Sequence, residues 1–266
     1  MDSTTRITPP MIDLITPDWP APGHIKALFT TRTGGFSNGA YATFNLGMHV
    51  HDDSENVIRN RTLLRKHLPG DPHWLRQVHG TRHVWIKQDS TQRQEQSGDA
   101  ALSRQHNTVC AIMVADCLPV LLCDTTGTVV GVVHAGWRGL AAGIIEQTVA
   151  AMQTGCESLM AWLGPAIGPE HFEVGEDVRT AFVEGDRQTA KAFKPISSST
   201  QSEPKWLADI FQLAQHRLAH AGVTRIYGGG VCTYSDPARF FSYRRDGETG
   251  RMVALIWMEK PDELAK

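Results

Sequence analysis

Two side chains capable of chemistry stand in segments that are otherwise apolar. Residues 114–139 read VADCLPVLLCDTTGTVVGVVHAGWRG, with Cys117 beside an aspartate and His134 at the end of a second apolar run. A thiol and an imidazole in such segments are core residues, a cysteine–histidine catalytic pair, or two ligands of one metal ion. The choice depends on whether the two side chains meet.

The turn between the two apolar runs predicts that they do meet. The runs read as strands joined by DTTGT, and a turn centred on residues 126–127 pairs His134 with Pro119. Cys117 lies two residues before Pro119 and therefore shares the face of His134. Because proline cannot donate a ladder hydrogen bond, we expect the strand to break or bend at Pro119 and to expose the thiol.

A third side chain, His79, ends the motif RQVH of residues 76–79. With Cys117 and His134 it gives two imidazoles and one thiol. Three protein ligands with an open fourth position are typical of catalytic zinc sites, whereas structural zinc sites close with four. Cys232 is the outside residue that would make the site structural, and Asp116 is expected to orient a ligand. The same ligand set also suits copper.

Cationic and small residues elsewhere are typical of anion sites. TRTGGFSNGAYATFNLG surrounds Arg32 and Ser37, Arg61 lies on the next predicted helix, and Arg138 follows His134 at a strand-to-helix turn. Backbone N–H groups in such loops and turns hold anions. No GK[ST] follows the glycines, which excludes a P-loop. RFFSYRRDGETGR, residues 239–251, mixes aromatic and guanidinium groups that suit a planar base and a phosphate.

Composition excludes several classes of protein. The 266 residues carry 26 basic and 28 acidic side chains, a net charge of -2 that gives no footprint for nucleic acid or an anionic membrane. The apolar runs are far shorter than the roughly 20 residues of a membrane-spanning helix. Five cysteines without a CxxC pair, and an N-terminus without a secretory signal, predict a cytoplasmic protein.

The spacing of apolar residues and the positions of turn-forming residues predict both strands and helices. Helices are expected at Ser54–Leu68, Gly139–Met152, Glu176–Glu184 and Trp206–Ala221. Strands are expected at Ile25–Thr31, His83–Lys87, Val109–Ala115, Val120–Cys123, Val129–His134, Leu159–Leu163, Arg225–Tyr227, Phe240–Arg244 and Met252–Met258. Polar loops are expected at 16–23, 87–98 and 197–204. The elements do not alternate strictly, which favours an α+β fold with mixed β-sheets.

Motifs along almost the whole chain resemble one family. They are TRTGGFSNG, FNLG, RQVHG, GDA, VADCLPV, VVHAGWRG, LGPAIG, FFSYRRDG and TGR, in that order. They resemble the bacterial YfiH-type proteins, also called the laccase-domain or polyphenol oxidase family. The resemblance implies a single domain, taken as 1–266, in α/β/β/α layers like those of cysteine hydrolases. It also implies zinc bound by His79, Cys117 and His134, with copper as the alternative metal.

The resemblance implies a zinc-dependent purine nucleoside phosphorylase acting on adenosine, inosine or methylthioadenosine, with adenosine deaminase activity. Arg32, Ser37, Arg61 and Arg138 are expected to bind the substrates, a purine nucleoside and phosphate. Two other functions stay open: a hydrolase that edits peptidoglycan precursors through Cys117 and His134, and a copper polyphenol oxidase. We expect neither nucleic acid nor a membrane as a partner, and a monomer or weak homodimer.

Overall fold

Two mixed β-sheets packed face to face form the centre of the protein. The computed structural model describes residues 11–87, 96–197 and 204–260. The strands are β1 (Leu14–Ile15), β2 (Ile25–Thr30), β3 (Pro72–His73), β4 (Leu75–Arg76), β5 (His83–Trp85), β6 (Gln96–Ser97), β7 (Ala100–Ser103), β8 (Val109–Val114), β9 (Leu118–Asp124), β10 (Val130–Ala135), β11 (Leu159–Leu163), β12 (Glu173–Gly175), β13 (Phe193–Pro195), β14 (Lys205–Ala208), β15 (Arg225–Gly228) and β16 (Met252–Met258).

Six α-helices lie in the described part of the chain. They are α1 (Ser54–Arg65), α2 (Trp137–Ala141), α3 (Ile144–Met152), α4 (Glu176–Val183), α5 (Ile210–His220) and α6 (Tyr243–Asp246). Three short 3-10 segments cover Gly39–Tyr41, Cys156–Ser158 and Arg187–Ala192. None of these helices combines the length and the apolar character that crossing a bilayer requires.

Both large sheets are mixed, as predicted. The first has the order β1-β2-β16-β8-β3, and the second has the order β15-β11-β9-β10-β7-β5. Most neighbours are antiparallel, but β3 pairs with β8, β5 with β7 and β15 with β11 in parallel. The α+β fold class with mixed sheets is confirmed.

Alternating side chains of the strands divide the molecule into layers. In β10, Val130 and Val132 pack between the two sheets, whereas Val133 packs on the outer core with α3 and α5. In β16, Val253 and Leu255 pack with α1 on the outer face of the first sheet. The order is therefore α/β/β/α, and β10 reads as a continuous apolar run because both of its faces are buried.

The central hairpin has the predicted register. His134 pairs with Pro119 and Val130 with Cys123. Asp124 fixes the turn, because its carboxylate accepts from the N–H groups of Thr128 at 2.6 Å and of Val129 at 3.0 Å. The predicted break at Pro119 is wrong, since β9 continues through it. The carbonyl of Pro119 accepts from the N–H of Gly164, just beyond the end of β11. The nitrogen of Pro119 faces the same side, where β11 has ended, so the strand loses no ladder hydrogen bond by having proline here.

Three predicted elements need correction. Trp206–Ala221 is the strand β14 followed by α5, because the Asp209 carboxylate caps a helix that begins only at Ile210. Gly139–Met152 is divided into α2 and α3 at Gly143, whose φ is 92°. Phe240–Arg244 is not a strand, since Ser242 caps the short helix α6.

The remaining predictions agree closely with the structure. The helix predicted from Ser54 to Leu68 ends at Arg65, and the side chain of Asp53 caps its start. The other predicted strands and helices agree within two residues at each end. Residues 88–95 and 198–203, which make up most of two predicted loops, lie outside the described residues.

Candidate functional site

Three side chains from distant parts of the chain meet at one end of the space between the sheets. Cys117 directly precedes β9, His134 lies near the end of β10, and His79 follows β4. The thiol of Cys117 lies 3.8 Å from Nε2 of His79. The two imidazole rings are 4.7 Å apart between centroids and inclined at 76°. The potential ligand atoms of all three residues lie within 4.8 Å of one another.

The shared face of Cys117 and His134 follows from the hairpin register, as predicted. His134 has the parity of Val130 and Val132, which point between the sheets. Cys117 packs against that same core and is half-buried. The thiol sits at the mouth of the layer because the strand begins only after it.

The loop that carries His79 is held from two sides. The side-chain amide of Gln77 donates to the carbonyl of Met113 at 2.8 Å and accepts from its N–H at 2.7 Å, which extends the edge of β8. The carboxylate of Asp99 accepts from the N–H groups of Val78 at 3.2 Å, His79 at 2.9 Å and Gly80 at 2.8 Å. This wrapping holds His79 at a φ of 58°.

Asp99 also orients the second imidazole. Its Oδ1 lies 2.9 Å from Nδ1 of His134, and both side chains are buried. With Nδ1–H donating to the carboxylate, Nε2 of His134 is left as the atom that can bind a metal ion. Sequence reasoning did not identify Asp99, although it belongs to the GDA motif at 98–100.

Asp116 has a different role from the one we expected. Its carboxylate accepts from the hydroxyls of Thr233 at 2.6 Å and Ser242 at 3.0 Å, and from the N–H of Arg244 at 2.7 Å. Asp116 thereby ties the 233–244 segment to the start of β9. Among the described hydrogen bonds, none joins Asp116 to His79 or His134, and Asp99 orients the histidine instead.

Gly136 leaves the room in which the three side chains meet. A Cβ at this position would lie 2.9 Å from Cδ2 of His79 and 3.1 Å from Sγ of Cys117. Any side chain here would displace at least one of them. The small residues after His134 are therefore required because a larger side chain would occupy the space in which the three side chains meet.

The charges of the site favour a thiolate. Burial raises the pKa of Cys117, but the opposing effects of His134 and His79 outweigh it and bring the pKa to about 6. Burial lowers the pKa of His134, while Cys117 and Asp99 raise it to a net value of about 9. Without a metal ion the two groups form a thiolate–imidazolium pair at neutral pH.

The donor atoms fit a single metal ion. Ligands bound to zinc at about 2.0–2.3 Å in a tetrahedron lie roughly 3.3–3.6 Å from each other. The 3.8 Å separation of Cys117 and His79 is close to that range. Cys232 is not in this cluster; its sulfur accepts from the N–H of Gly168 at 3.1 Å. Among the described residues the set therefore has three ligands, as catalytic sites do.

A cavity of about 590 Å³ opens onto the three side chains, a size suited to a small-molecule substrate. The described residues that line it are His49, Leu75, Arg76, Gln77, His79, Met113, Val114, Ala115, Cys117, His134, Tyr243 and Arg251. Sequence reasoning missed His49, Arg76 and Gln77 as members of the site. It selected the segment that carries Tyr243 and Arg251 as suited to a planar base and a phosphate.

The predicted substrate-binding residues lie outside this lining. Arg32 donates to the carbonyls of Ala42 and Pro237, at 2.9 and 3.0 Å. The buried hydroxyl of Ser37 accepts from the amide of Asn60 at 2.9 Å. Arg61 donates to the carbonyl of Leu46 at 3.0 Å and lies over Trp74, while the exposed Arg138 lies over Trp137. Their roles in substrate binding stay predictions.

Comparison with known proteins identifies relatives along nearly the whole chain. Residues 26–259 match the family described as multi-copper polyphenol oxidoreductase laccase. A Pseudomonas aeruginosa protein named purine nucleoside phosphorylase is 47% identical over 245 residues, which cover 92% of this chain and 98% of that protein. The Escherichia coli protein named purine nucleoside phosphorylase YfiH is 48% identical over 250 residues, which cover 93% and 100%.

The fold also has close counterparts among solved structures. A Neisseria meningitidis protein superposes with a TM-score of 0.86 and 46% identity, over 93% of this chain and 99% of that one. A YfiH protein of Bacillus licheniformis gives a TM-score of 0.84 at 28% identity, over 95% of this chain and 98% of that one.

Replacing Asp99 tests whether one carboxylate holds both histidines. In Asp99→Asn the amide group faces N–H donors, so we expect the free energy of unfolding to fall by roughly 2–5 kcal/mol. We expect the affinity for zinc, measured by competition with a chelator, to fall about 10- to 100-fold. The matched control is Asp124→Asn, a buried carboxylate at the turn of the β9–β10 hairpin, at the opposite end of β10 from His134. An equal loss of zinc affinity in both variants would contradict the role of Asp99.

The reactivity of Cys117 tests the thiolate–imidazolium pair. In chelator-treated protein we expect the rate of alkylation by iodoacetamide to rise with pH and to level off above a midpoint near pH 6, because the pKa of Cys117 is lowered to about 6. His134→Ala removes the main cation, so the midpoint should move up by about 1 unit or more. Mass spectrometry of the peptide containing Cys117 measures the rate. A midpoint that is the same in both proteins would refute the pairing.

Proposed function

The chain belongs to the multi-copper polyphenol oxidoreductase laccase family, that of the YfiH-type proteins, and we propose that it is a purine nucleoside phosphorylase. The observation that carries this proposal is the near 50% identity to relatives of that name over more than nine-tenths of both chains. The cavity beside His79, Cys117 and His134 has the size that a nucleoside requires.

The substrates of the proposed reaction are a purine nucleoside (adenosine, inosine or methylthioadenosine) and phosphate. Phosphorolysis forms a bond between a phosphate oxygen and C1′ of the ribose. It breaks the bond from C1′ to N9, whose electron pair leaves with the purine, and a proton added to the purine completes the exchange. Adenosine deamination, the second activity that we propose, is a hydrolysis: the oxygen of a water molecule forms a bond to C6, the bond from C6 to the amino nitrogen breaks, and the products are inosine and ammonia.

We propose that His79, Cys117 and His134 bind zinc, which supplies a Lewis acid beside the substrate. The chain's own residues prepare this site. Asp99 holds the proton on Nδ1 of His134, so Nε2, once its own proton is released, would be the atom that binds the ion. The low pKa of Cys117 makes the thiolate, the form that binds metals, available at neutral pH.

The purine is expected to lie against Tyr243. This residue is the aromatic side chain, other than the histidines, among the described residues that line the cavity, and 61% of its surface is exposed. The apolar side chains of Leu75, Met113 and Val114 line the cavity as well. A flat aromatic face beside apolar walls suits a purine ring.

A cysteine hydrolase is the second candidate function, and the thiolate–imidazolium pair of Cys117 and His134 favours it. In that reaction the thiolate attacks the carbonyl carbon of an amide, such as one in a peptidoglycan precursor, and His134 gives a proton to the departing amine. Water then hydrolyses the resulting thioester, which releases the carboxylic acid and regenerates the thiolate and the imidazolium. This chemistry needs no metal. Copper bound by the same three residues, in a polyphenol oxidase, is the third possibility that the family name carries.

Product analysis tests the proposed function. The purified protein, loaded with zinc, is incubated with adenosine and phosphate, and the products are identified by mass. We expect adenine with ribose 1-phosphate, together with inosine from deamination. Chelation should abolish both products, and added zinc should restore them. Full phosphorolysis by the metal-free protein would refute the zinc site, and no nucleoside product from the loaded protein would refute the phosphorylase.

Substitution of Tyr243 tests the position of the purine. Stacking on an aromatic side chain is worth about 1–3 kcal/mol per base, so Tyr243→Ala should raise the KM for the nucleoside at least about fivefold. Tyr243→Phe keeps the ring and should behave like the unmodified protein. Steady-state kinetics with inosine at saturating phosphate provides the measurement. Equal KM values in the Ala and Phe variants would place the purine elsewhere.

A further inference from the structure

The described lining of the cavity is cationic, although the protein as a whole is not. It contains two arginines and three histidines, and it contains no aspartate or glutamate. The whole chain carries a net charge of -2. The Cys117 thiolate is the negative group of this lining, and a bound divalent cation would neutralise it, so the two guanidinium groups remain as the charges that attract a ligand. The ligand chemistry that this lining selects is therefore anionic.

We propose that Arg76 and Arg251 bind a phosphate group in this cavity. The proposal rests on the function proposed above where it identifies this group as the inorganic phosphate of phosphorolysis. The same chemistry would also recognise the phosphate of a nucleotide. Guanidinium groups suit this role because their N–H groups form a planar fork that matches two phosphate oxygens.

Arg251 is the fixed member of the pair. Its Nη1 donates to the carbonyls of Thr249 at 2.9 Å and Gly250 at 3.0 Å. Its stem lies against Gly47, where a Cβ would come within 2.9 Å of the Arg251 Cγ. Among the described residues, Nε and Nη2 have no hydrogen-bond partner, and no carboxylate pairs with the group. A half-buried guanidinium held by one nitrogen leaves the others for an anion.

Arg76 is the adjustable member. Its backbone is held in β4, where the carbonyl accepts from the N–H of Gly98 at 3.1 Å and the residue pairs with Ser97. Its side chain is exposed, lines the cavity, and makes no hydrogen bond or ion pair with the described residues. A firmly held backbone with an unpaired guanidinium three residues before His79 can close onto a ligand beside the metal site.

The pKa of His49, another residue of the lining, is lowered in part by nearby arginines. Burial is the main cause that lowers the pKa of its imidazole, and the charges of Arg251 and Arg61 lower it further. His49 is therefore a neutral hydrogen-bonding group in the cavity, so it adds contacts to an anion without requiring a counterion.

The arginines predicted from the sequence lie outside the cavity lining. Arg32 bridges two carbonyl groups, Arg61 donates to the carbonyl of Leu46, and Arg138 lies over a tryptophan. These contacts stabilise the surrounding loops. The positions of Arg76 and Arg251 in the cavity lining make them the stronger choice for a phosphate.

A binding experiment tests this subsite without depending on catalysis. The thermal unfolding midpoint of the zinc-loaded protein is measured with inorganic phosphate, and with chloride at equal ionic strength. Phosphate bound to the folded protein raises the midpoint. We expect this rise to be lost in Arg76→Gln and Arg251→Gln and kept in Arg187→Gln, a matched exposed arginine that does not line the cavity. Arg251→Lys, which keeps the charge but not the fork, should retain part of the rise.

Kinetics then tests the role of the subsite in phosphorolysis. A hydrogen bond to a charged group is worth about 1.5–3 kcal/mol, so Arg76→Gln and Arg251→Gln should each raise the KM for phosphate about tenfold or more. The KM for inosine should change far less. The thermal unfolding experiment also distinguishes the two sources of phosphate. If the subsite recognises the phosphate of a nucleotide, a nucleoside monophosphate should raise the unfolding midpoint through the same arginines. If the ligand is the co-substrate, inorganic phosphate alone should produce the rise.

The outcomes separate this proposal from the proposed function. Phosphate binding that depends on Arg76 and Arg251 supports the subsite even if no phosphorolysis occurs, in which case the phosphorylase fails alone. Phosphorolysis with an unchanged KM for phosphate in both variants overturns the subsite while the phosphorylase stands. A raised KM for phosphate in Arg138→Gln, without one in Arg76→Gln, would also overturn it and favour the residue predicted from the sequence.

Discussion

The site depends on one buried carboxylate. Asp99 is fully buried and accepts from three consecutive N–H groups in the His79 loop and from Nδ1 of His134. Removing a carboxylate from water costs several kcal/mol, so it is tolerated only where every oxygen is well satisfied. The same requirement makes the position of the two histidines cooperative: neither can move without leaving part of the charge unsatisfied. The hydrogen bonds that offset the burial of Asp99 therefore also hold the two histidines rigidly, as a metal site with three protein ligands would require.

The scaffold around this carboxylate holds Cys117, His134 and His79 in different ways. Cys117 directly precedes β9 and His134 lies in β10, the two central strands of a sheet that is covered on both faces, so packing fixes their backbones. His79 instead lies on an exposed loop that would be free without Asp99 and Gln77. Gly136 completes the arrangement because it keeps the space between the three side chains empty. The hydrogen bonds to Asp99 and Gln77 therefore give the loop-borne His79 a fixed position beside the other two side chains.

Local signals in the sequence predicted the hairpin but not its surroundings. The register followed from one turn and one parity, both of which are local properties. The helix predicted at Trp206–Ala221 was wrong in its first residues, because the helical periodicity of the segment concealed a short strand before the cap at Asp209. The role of Asp99 could not be predicted from the same reasoning, since it arises from contacts 19 to 35 residues apart along the chain. The lining of the cavity comes from separate segments, so the place of Arg138 at the turn after His134 favoured it over Arg76, whose position in the cavity depends on long-range contacts.

The charges of the cavity bear on whether Cys117 is a ligand or a nucleophile. A free thiolate is stabilised by positive surroundings, and so is an anionic substrate, and the two would repel each other in a cavity of about 590 Å³. When the thiolate binds a divalent cation, its negative charge is neutralised and the arginines remain available for another anion. A phosphate co-substrate is therefore more compatible with a metal-bound Cys117 than with a free attacking thiolate. A neutral amide substrate would make no such demand, and it would leave Arg76 and Arg251 without an anion to bind.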